Sequence, residues 1–101
     1  MNVQIHAVHT GAIDDLEPRV RADVEHALRG FEDRVTNVTV HLRDTNGAKG
    51  GPNDKRVTVE AHLAGLPALA VTAEHSDMSM ALTNAMTKLE AAARHRVGRQ
   101  S

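Results

Sequence analysis

Cysteine, tryptophan and tyrosine are all absent from this sequence, and Phe31 is the only aromatic residue. Without cysteine there is no disulfide, no thiolate nucleophile and no cysteine zinc site. A reducing compartment is compatible with that. Without aromatic rings there is no stacking platform of the usual kind for nucleic-acid bases. Any meeting with nucleic acid must then run through phosphates, sugars and shape. A dominant charge is lacking too: the formal net charge is −1 with the histidines neutral, whereas a basic domain is the first expectation for a nucleic-acid binder. No run approaches the ~18 apolar residues of a membrane span. The start, MNVQIHAVHT, has neither a basic n-region nor a long apolar core, so no signal peptide is expected. The expected location is the cytoplasm.

The length of 101 residues fits one domain, residues 1–101, with a modest core. Charge is unevenly spread. Residues 1–43 hold seven acidic and five basic side chains, while Lys88, Arg94, Arg96 and Arg99 face only Glu90 in the last stretch. Local fields of this kind matter more than the sum.

Hydrophobic spacing predicts the elements. Val3, Ile5 and Ala7 alternate with Gln4, His6 and Val8 in a first strand ending at His9-Thr10-Gly11. Ile13, Leu16, Val20, Val24, Ala27, Leu28 and Phe31 then follow helical spacing. Asp14, Asp15 and Glu17 suit its positive end, and Pro18 belongs in a first turn, so a start near Asp14 is expected. Val38, Val40 and Leu42 mark a second strand. The stretch Asp44–Leu63 joins a glycine-rich loop to a third, in which Val57, Val59, Ala61 and Leu63 oppose Arg56, Thr58, Glu60 and His62. After Gly65-Leu66-Pro67, Leu69, Val71 and Ala73 mark a fourth strand. Ser76 or Asp77 caps a second helix with apolar Met78, Leu82, Ala85, Met86, Leu89 and Ala93, fraying near Gly98. The fold class is therefore α+β: a β-α-β-β-β-α two-layer sandwich, a four-stranded mixed sheet with two helices packed on one face. A right-handed crossover makes the first two strands parallel if they are neighbours.

Several groups of residues carry candidate chemistry. His6, His41 and His62, with Arg43, Arg56, Glu60 and Glu74, fall on the outer sheet face. Imidazole nitrogens suit zinc, but no pair has H-x-x-x-H spacing, and a solvated polar face is the favoured reading; no metal is expected. Alternatively, these rings gain charge in mild acid and meet phosphate. The loop glycines do not make a Walker cradle, because Lys49 precedes Gly50 and a strand follows. Lys49, Lys55 and Arg56 remain candidates for an RNA backbone. Arg94, Arg96 and Arg99 stabilise a helix C-terminus through its dipole, or, with Lys88, contact phosphates in a salt-dependent way. Asp14-Asp15 reads as a helix start and Ser76 as a cap. No arrangement of nucleophile, base and orienting group emerges, so no enzyme activity, cofactor or small-molecule substrate is expected.

Element order and particular residues converge on a family. Glu74-His75-Ser76-Asp77-Met78, Ala81-Leu82 and Lys88-Leu89 resemble a pattern running from last strand into last helix in the ribosome hibernation-promoting factors. These are also described as the ribosome-associated inhibitor or sigma-54 modulation family. Asp44, Asn46-Gly47, Lys49-Gly50-Gly51 and Asp54-Lys55-Arg56 resemble the loop of its short members. The resemblance covers nearly the whole chain.

It implies a translation regulator that binds the small ribosomal subunit and its ribosomal RNA near the decoding region. Such a protein occludes the messenger and transfer RNA channel under stress. Lys88 carries over directly from the Lys-Leu pair. Arg94, Arg96 and Arg99 fit the basic helix end less closely, Arg29 is a candidate on the first helix, and Arg43 joins Lys49, Lys55 and Arg56. The chain departs from the family where Ala91, Ala92 and Ala93 stand in place of more cations. Long family forms add a C-terminal dimerisation domain; the sequence stops at Ser101, so joining two ribosomes that way is not expected. A diverged protein-interaction or stress-response module with the same fold is the alternative.

Overall fold

A computed structural model describes residues 1–8, 13–44 and 54–98, excluding the side chains of residues 8 and 13–15. The elements are β1 (Asn2–Val8), α1 (Ile13–Ala27), β2 (Val35–Asp44), β3 (Lys55–Leu63), β4 (Leu69–His75) and α2 (Met78–Gly98). The strands form one sheet in the order β1-β2-β3-β4. β1 and β2 are parallel, and the two later pairings are antiparallel. This is the mixed sheet with two helices that the periodicity predicts.

Register converts alternation into layers. Ala7, Leu42, Val57 and Ala73 lie in one row across the sheet. Ile5, Val40, Val59 and Val71 make the next, and Val3, Val38, Ala61 and Leu69 the third. A slip of one residue would turn such a row to solvent. Val38, Val40, Val57, Val59 and Ala61 are wholly buried beneath the helices. Onto these rows α2 lays Leu82, Ala85, Leu89 and Ala93, and α1 lays Val20 and Val24, all without exposure. Burying one such leucine or valine contributes about 1.5–3 kcal/mol. Among the described residues no polar or charged side chain is buried, so the core is purely apolar. No helix among them is long and apolar enough to cross a membrane.

Three local features differ from or refine the periodicity. β2 begins at Val35, earlier than its alternation indicates, because the register shifts between Val35 and Asn37. This irregularity lets Val35 and Val38 both face the core although three positions separate them; Thr36 turns outward and donates to the His62 carbonyl at 3.0 Å. Pro18 lies within α1, beyond its first turn, rather than in the first turn. It is exposed there, so the amide it lacks costs one solvent-facing bond near the helix start. After α1, Gly30 adopts φ 91°, the left-handed conformation that ends a helix, and its N–H donates to Glu32 Oε2 at 2.8 Å. The start of α2 follows the sequence closely: Asp77 Oδ1 accepts the Ser79 N–H at 2.9 Å, as an N-cap does.

Candidate nucleic-acid interface

The predicted cations do not gather on one surface. They divide among the β4 side of α2, the side of α2 turned toward α1, the far end of the sheet and the end of α1.

Lys88 and Arg96 lie on the β4 side. Lys88 Nζ donates to the Thr72 carbonyl at 2.8 Å, and Arg96 Nη1 donates to the Pro67 carbonyl at 2.7 Å. β4 is an edge strand, whose outward carbonyls would otherwise invite another strand. Lys88 therefore leans onto this edge, and Arg96 onto the connection that leads into it. Each retains further N–H donors, since an ammonium carries three and a guanidinium five. Arg94 is elsewhere: at about 100° per residue it sits about 120° around the helix from Lys88. It is 68% exposed and pairs with Glu90 at 2.9 Å. The helix thus presents cations on two sides. Arg99 lies outside the described residues.

Lys55 sits between Asp44 at 2.7 Å and Asp54 at 3.3 Å, and its side chain is only 22% exposed. The Asp44 hydrogen bond raises its pKa above the ordinary value, burial opposes this, and Asp54 adds to it. This ammonium is engaged within the protein, joining the ends of β2 and β3. Lys49 and the surrounding glycines lie outside the described residues. Arg29 is exposed at the end of α1, beside a hollow shared with Glu25, His26 and Glu32.

Arg43 and Arg56 face each other across β2 and β3 on the outer sheet face. Arg56 gives Nε and Nη2 to Glu74 Oε2 at 3.0 and 2.8 Å. Arg43 has no hydrogen-bond or ion-pair partner among the described residues. The expected polar face is present: His6, His41, His62, Glu60 and Glu74 are all exposed. His6 and His41 stack, with ring centroids 5.3 Å apart. His62 pairs with Asn37, four residues along β2 from His41, about 13 Å at strand rise. The three histidines therefore do not converge, and no metal-holding group occurs among the described residues.

Two arginines that the candidate set omits also hold structural positions. The Arg19 guanidinium donates to Ser79 Oγ and, at 2.9 Å, to Thr83 Oγ1, tying α1 to α2. It also pairs with Asp23 at 3.3 Å. Arg21 donates to the Val3 carbonyl at 3.1 Å, on the opposite edge strand β1. The only sequence signal for either was an acid four residues away: Glu17 for Arg21 and Asp23 for Arg19. Between the helices, Arg19, Asp23, His26, Thr83, Thr87 and Glu90 line an open groove. Its mixed charge makes it a poor track for phosphate by itself.

A family model described as sigma 54 modulation protein / S30EA ribosomal protein matches residues 3–101. The chain belongs to this family. Two solved structures share the fold. A ribosomal subunit interface protein from Coxiella burnetii aligns with a TM-score of 0.74 and 20% identity, over 91% of this chain and 92% of that one. The N-terminal domain of Protein Y from Thermus thermophilus aligns with a TM-score of 0.76 and 20% identity, over 94% and 98%. No curated protein sequence matches. The family model thus makes this a protein of the ribosome-associated S30EA type, and the two solved structures share its fold.

Proposed function

We propose that this chain binds the small ribosomal subunit through phosphates of its ribosomal RNA and inhibits translation under stress. It would do so as one domain spanning residues 1–101, by occupying the messenger and transfer RNA channel, in the cytoplasm, without catalysis, cofactor or small-molecule substrate. Family membership over residues 3–101 is the observation that carries the reading. The side chains add support. Lys88 and Arg96 are each anchored to one backbone carbonyl, yet keep donors for phosphate. Arg94 extends the cationic end of α2. Arg99, Arg29, Lys49, Lys55, Arg43 and Arg56 complete the proposed contact set. Phosphate contacts of this kind need no aromatic platform, which suits a chain with one phenylalanine.

A second reading rests on a specific observation. Arg94, Lys55 and Arg56 are each paired with an acid, and the net charge is −1. Such compensation fits a diverged module that keeps the fold and binds protein instead. Sedimentation with purified ribosomes at two salt concentrations separates the two readings. The favoured one expects co-sedimentation that weakens with salt and is lost on Lys88→Glu/Arg94→Glu/Arg96→Glu. No association at low salt, or a partner retained after ribonuclease treatment, supports the second.

A further inference from the structure

The open face of the sheet carries, beside Arg43 and Arg56, three donors that the proposed function does not use: His6, His41 and Thr58. His6 on β1, His41 on β2 and Thr58 on β3 lie in one register row; Arg43 and Arg56 lie in the next. His6, His41, Leu42, Arg43, Arg56 and Thr58 line one shallow depression of about 280 Å³. That is below the ~300 Å³ at which drug-sized ligands begin to fit, and adequate for a single tetrahedral oxyanion. Both rings are exposed and stacked, 5.3 Å apart and inclined by 19°. Imidazole is the ordinary side chain that gains a positive charge between pH 8 and pH 5.

We propose that this depression is an acid-activated phosphate-binding site, with His6 and His41 as its switch and Arg43 as its permanent cation. The charge balance follows from what faces it. At neutral pH Arg43 contributes its charge, while Arg56 is matched by Glu74 at 2.8 Å. β1 adds no other ionisable side chain facing this way, since Gln4 is neutral. On β2, Thr39 and Asn37 are neutral. On β3, Glu60 lies one row away, opposite Thr39, and His62 lies beyond it, opposite Asn37. On β4, Thr72 bonds Thr58 through their hydroxyls at 3.2 Å, and Glu74 is the remaining acid. From beneath, wholly buried Val40, Val57 and Val59, with Leu42 beside them, bring no charge. Among the described residues, Arg43 thus supplies the one unmatched charge, to which two imidazolium rings would add two more.

The stack makes the response cooperative. Two imidazolium rings at this separation repel each other. An oxyanion seated over both removes that cost, so proton uptake and anion binding must strengthen each other reciprocally. The shared ligand chemistry is a phosphate oxyanion, from an RNA backbone or from free phosphate. The site lies on the opposite sheet face from α1 and α2 and stands on the sheet register, not on the ribosome reading.

The test is a titration of the whole protein followed through the imidazole and guanidinium resonances by NMR, at pH 5.8 and pH 7.8. Sulfate is the first probe, because its charge is constant over that range. A hexauridylate RNA, also constant in charge, is the second. Binding of sulfate at His6, His41 and Arg43 is expected to be about tenfold tighter at pH 5.8. His6→Gln/His41→Gln should abolish the pH dependence, each single variant should reduce it, and Arg43→Gln should weaken binding at both pH values. Hexauridylate binding more tightly than sulfate identifies the RNA backbone as the ligand; equal or weaker binding identifies free phosphate. Equal sulfate affinity at the two pH values, or a pH response unchanged in the folded double variant, overturns the proposal. No ribosome is involved, so failure of wild-type protein to sediment with ribosomes would count against the proposed function alone.

Discussion

Replacing Lys88 and Arg96 together with glutamine separates what these cations do for the fold from what they do for RNA. In the structure each donates one hydrogen bond to a backbone carbonyl, at 2.8 and 2.7 Å, on the β4 side of the sheet. Bonds at such accessible positions contribute about 0.5–1 kcal/mol each. The double variant should therefore lose about 1–2 kcal/mol, or roughly 4–16 °C in melting temperature for a domain of this size. Glutamine keeps a shorter donor, so the lower end is expected. If both cations also touch ribosomal RNA phosphates, losing two contacts flattens the slope of log affinity against log salt by about 1.4–1.8. Between 50 and 200 mM salt the variant would then lose about tenfold less affinity than the parent. The assay is quantitative sedimentation with purified small subunits across that salt range, alongside thermal melting. A slope unchanged within error, in a variant that still melts cooperatively, refutes the phosphate role and leaves these residues as anchors of α2 to β4 and to the connection before it.

Other substitutions probe the framework. Leu89→Ala removes a wholly buried side chain between α2 and the sheet and should cost about 2–5 kcal/mol, read as a lowered urea midpoint with unchanged m. Gly30→Ala places a side chain at φ 91° where nothing lies within 4 Å of the new carbon. Its cost of about 1–2 kcal/mol is then backbone strain alone, and a stabilised variant would contradict the helix-end geometry. Asp77→Ala removes the α2 cap and should cost about 1 kcal/mol in the same assay. Lys55 has its pKa raised above 10.5 by Asp44. Its ammonium therefore supports the fold fully below pH 10.5, and that support disappears as pH climbs through the higher folded value. Melting temperatures should fall more steeply above that pH in the parent than in Lys55→Gln; parallel curves would contradict the pairing.

The division of the chain into strands and helices is legible in sequence because burial imposes a period. Alternation at Val57, Val59, Ala61 and Leu63, and three-and-four spacing at Leu82, Ala85, Met86 and Leu89, each leave one apolar side. Four such strands and two such helices have few ways to hide those sides together. The irregularity between Val35 and Asn37 escaped that reading, because a register shift breaks the very period that reveals a strand. Pro18 was misplaced by a similar limit: propensity ranks residues near a helix start, but does not fix where the first turn begins.

The site was legible only as an inventory. The residues from Glu74 through Leu89 carried the family likeness, and the outer-face histidines followed from parity. Which cations stand together is a different kind of fact. The stacking of His6 on His41 depends on β1 and β2 being parallel neighbours in one register. The pairing of Lys55 with Asp44 depends on where β2 meets β3, and which cations of α2 reach the Thr72 and Pro67 carbonyls depends on how α2 rolls onto β4. Sequence by itself determined which side of each element is apolar, because that property is local and periodic. The tertiary structure decided the pairings that reach beyond a helix turn, such as Lys55 with Asp44 and Arg56 with Glu74, because these depend on a few ångströms between residues far apart in the chain.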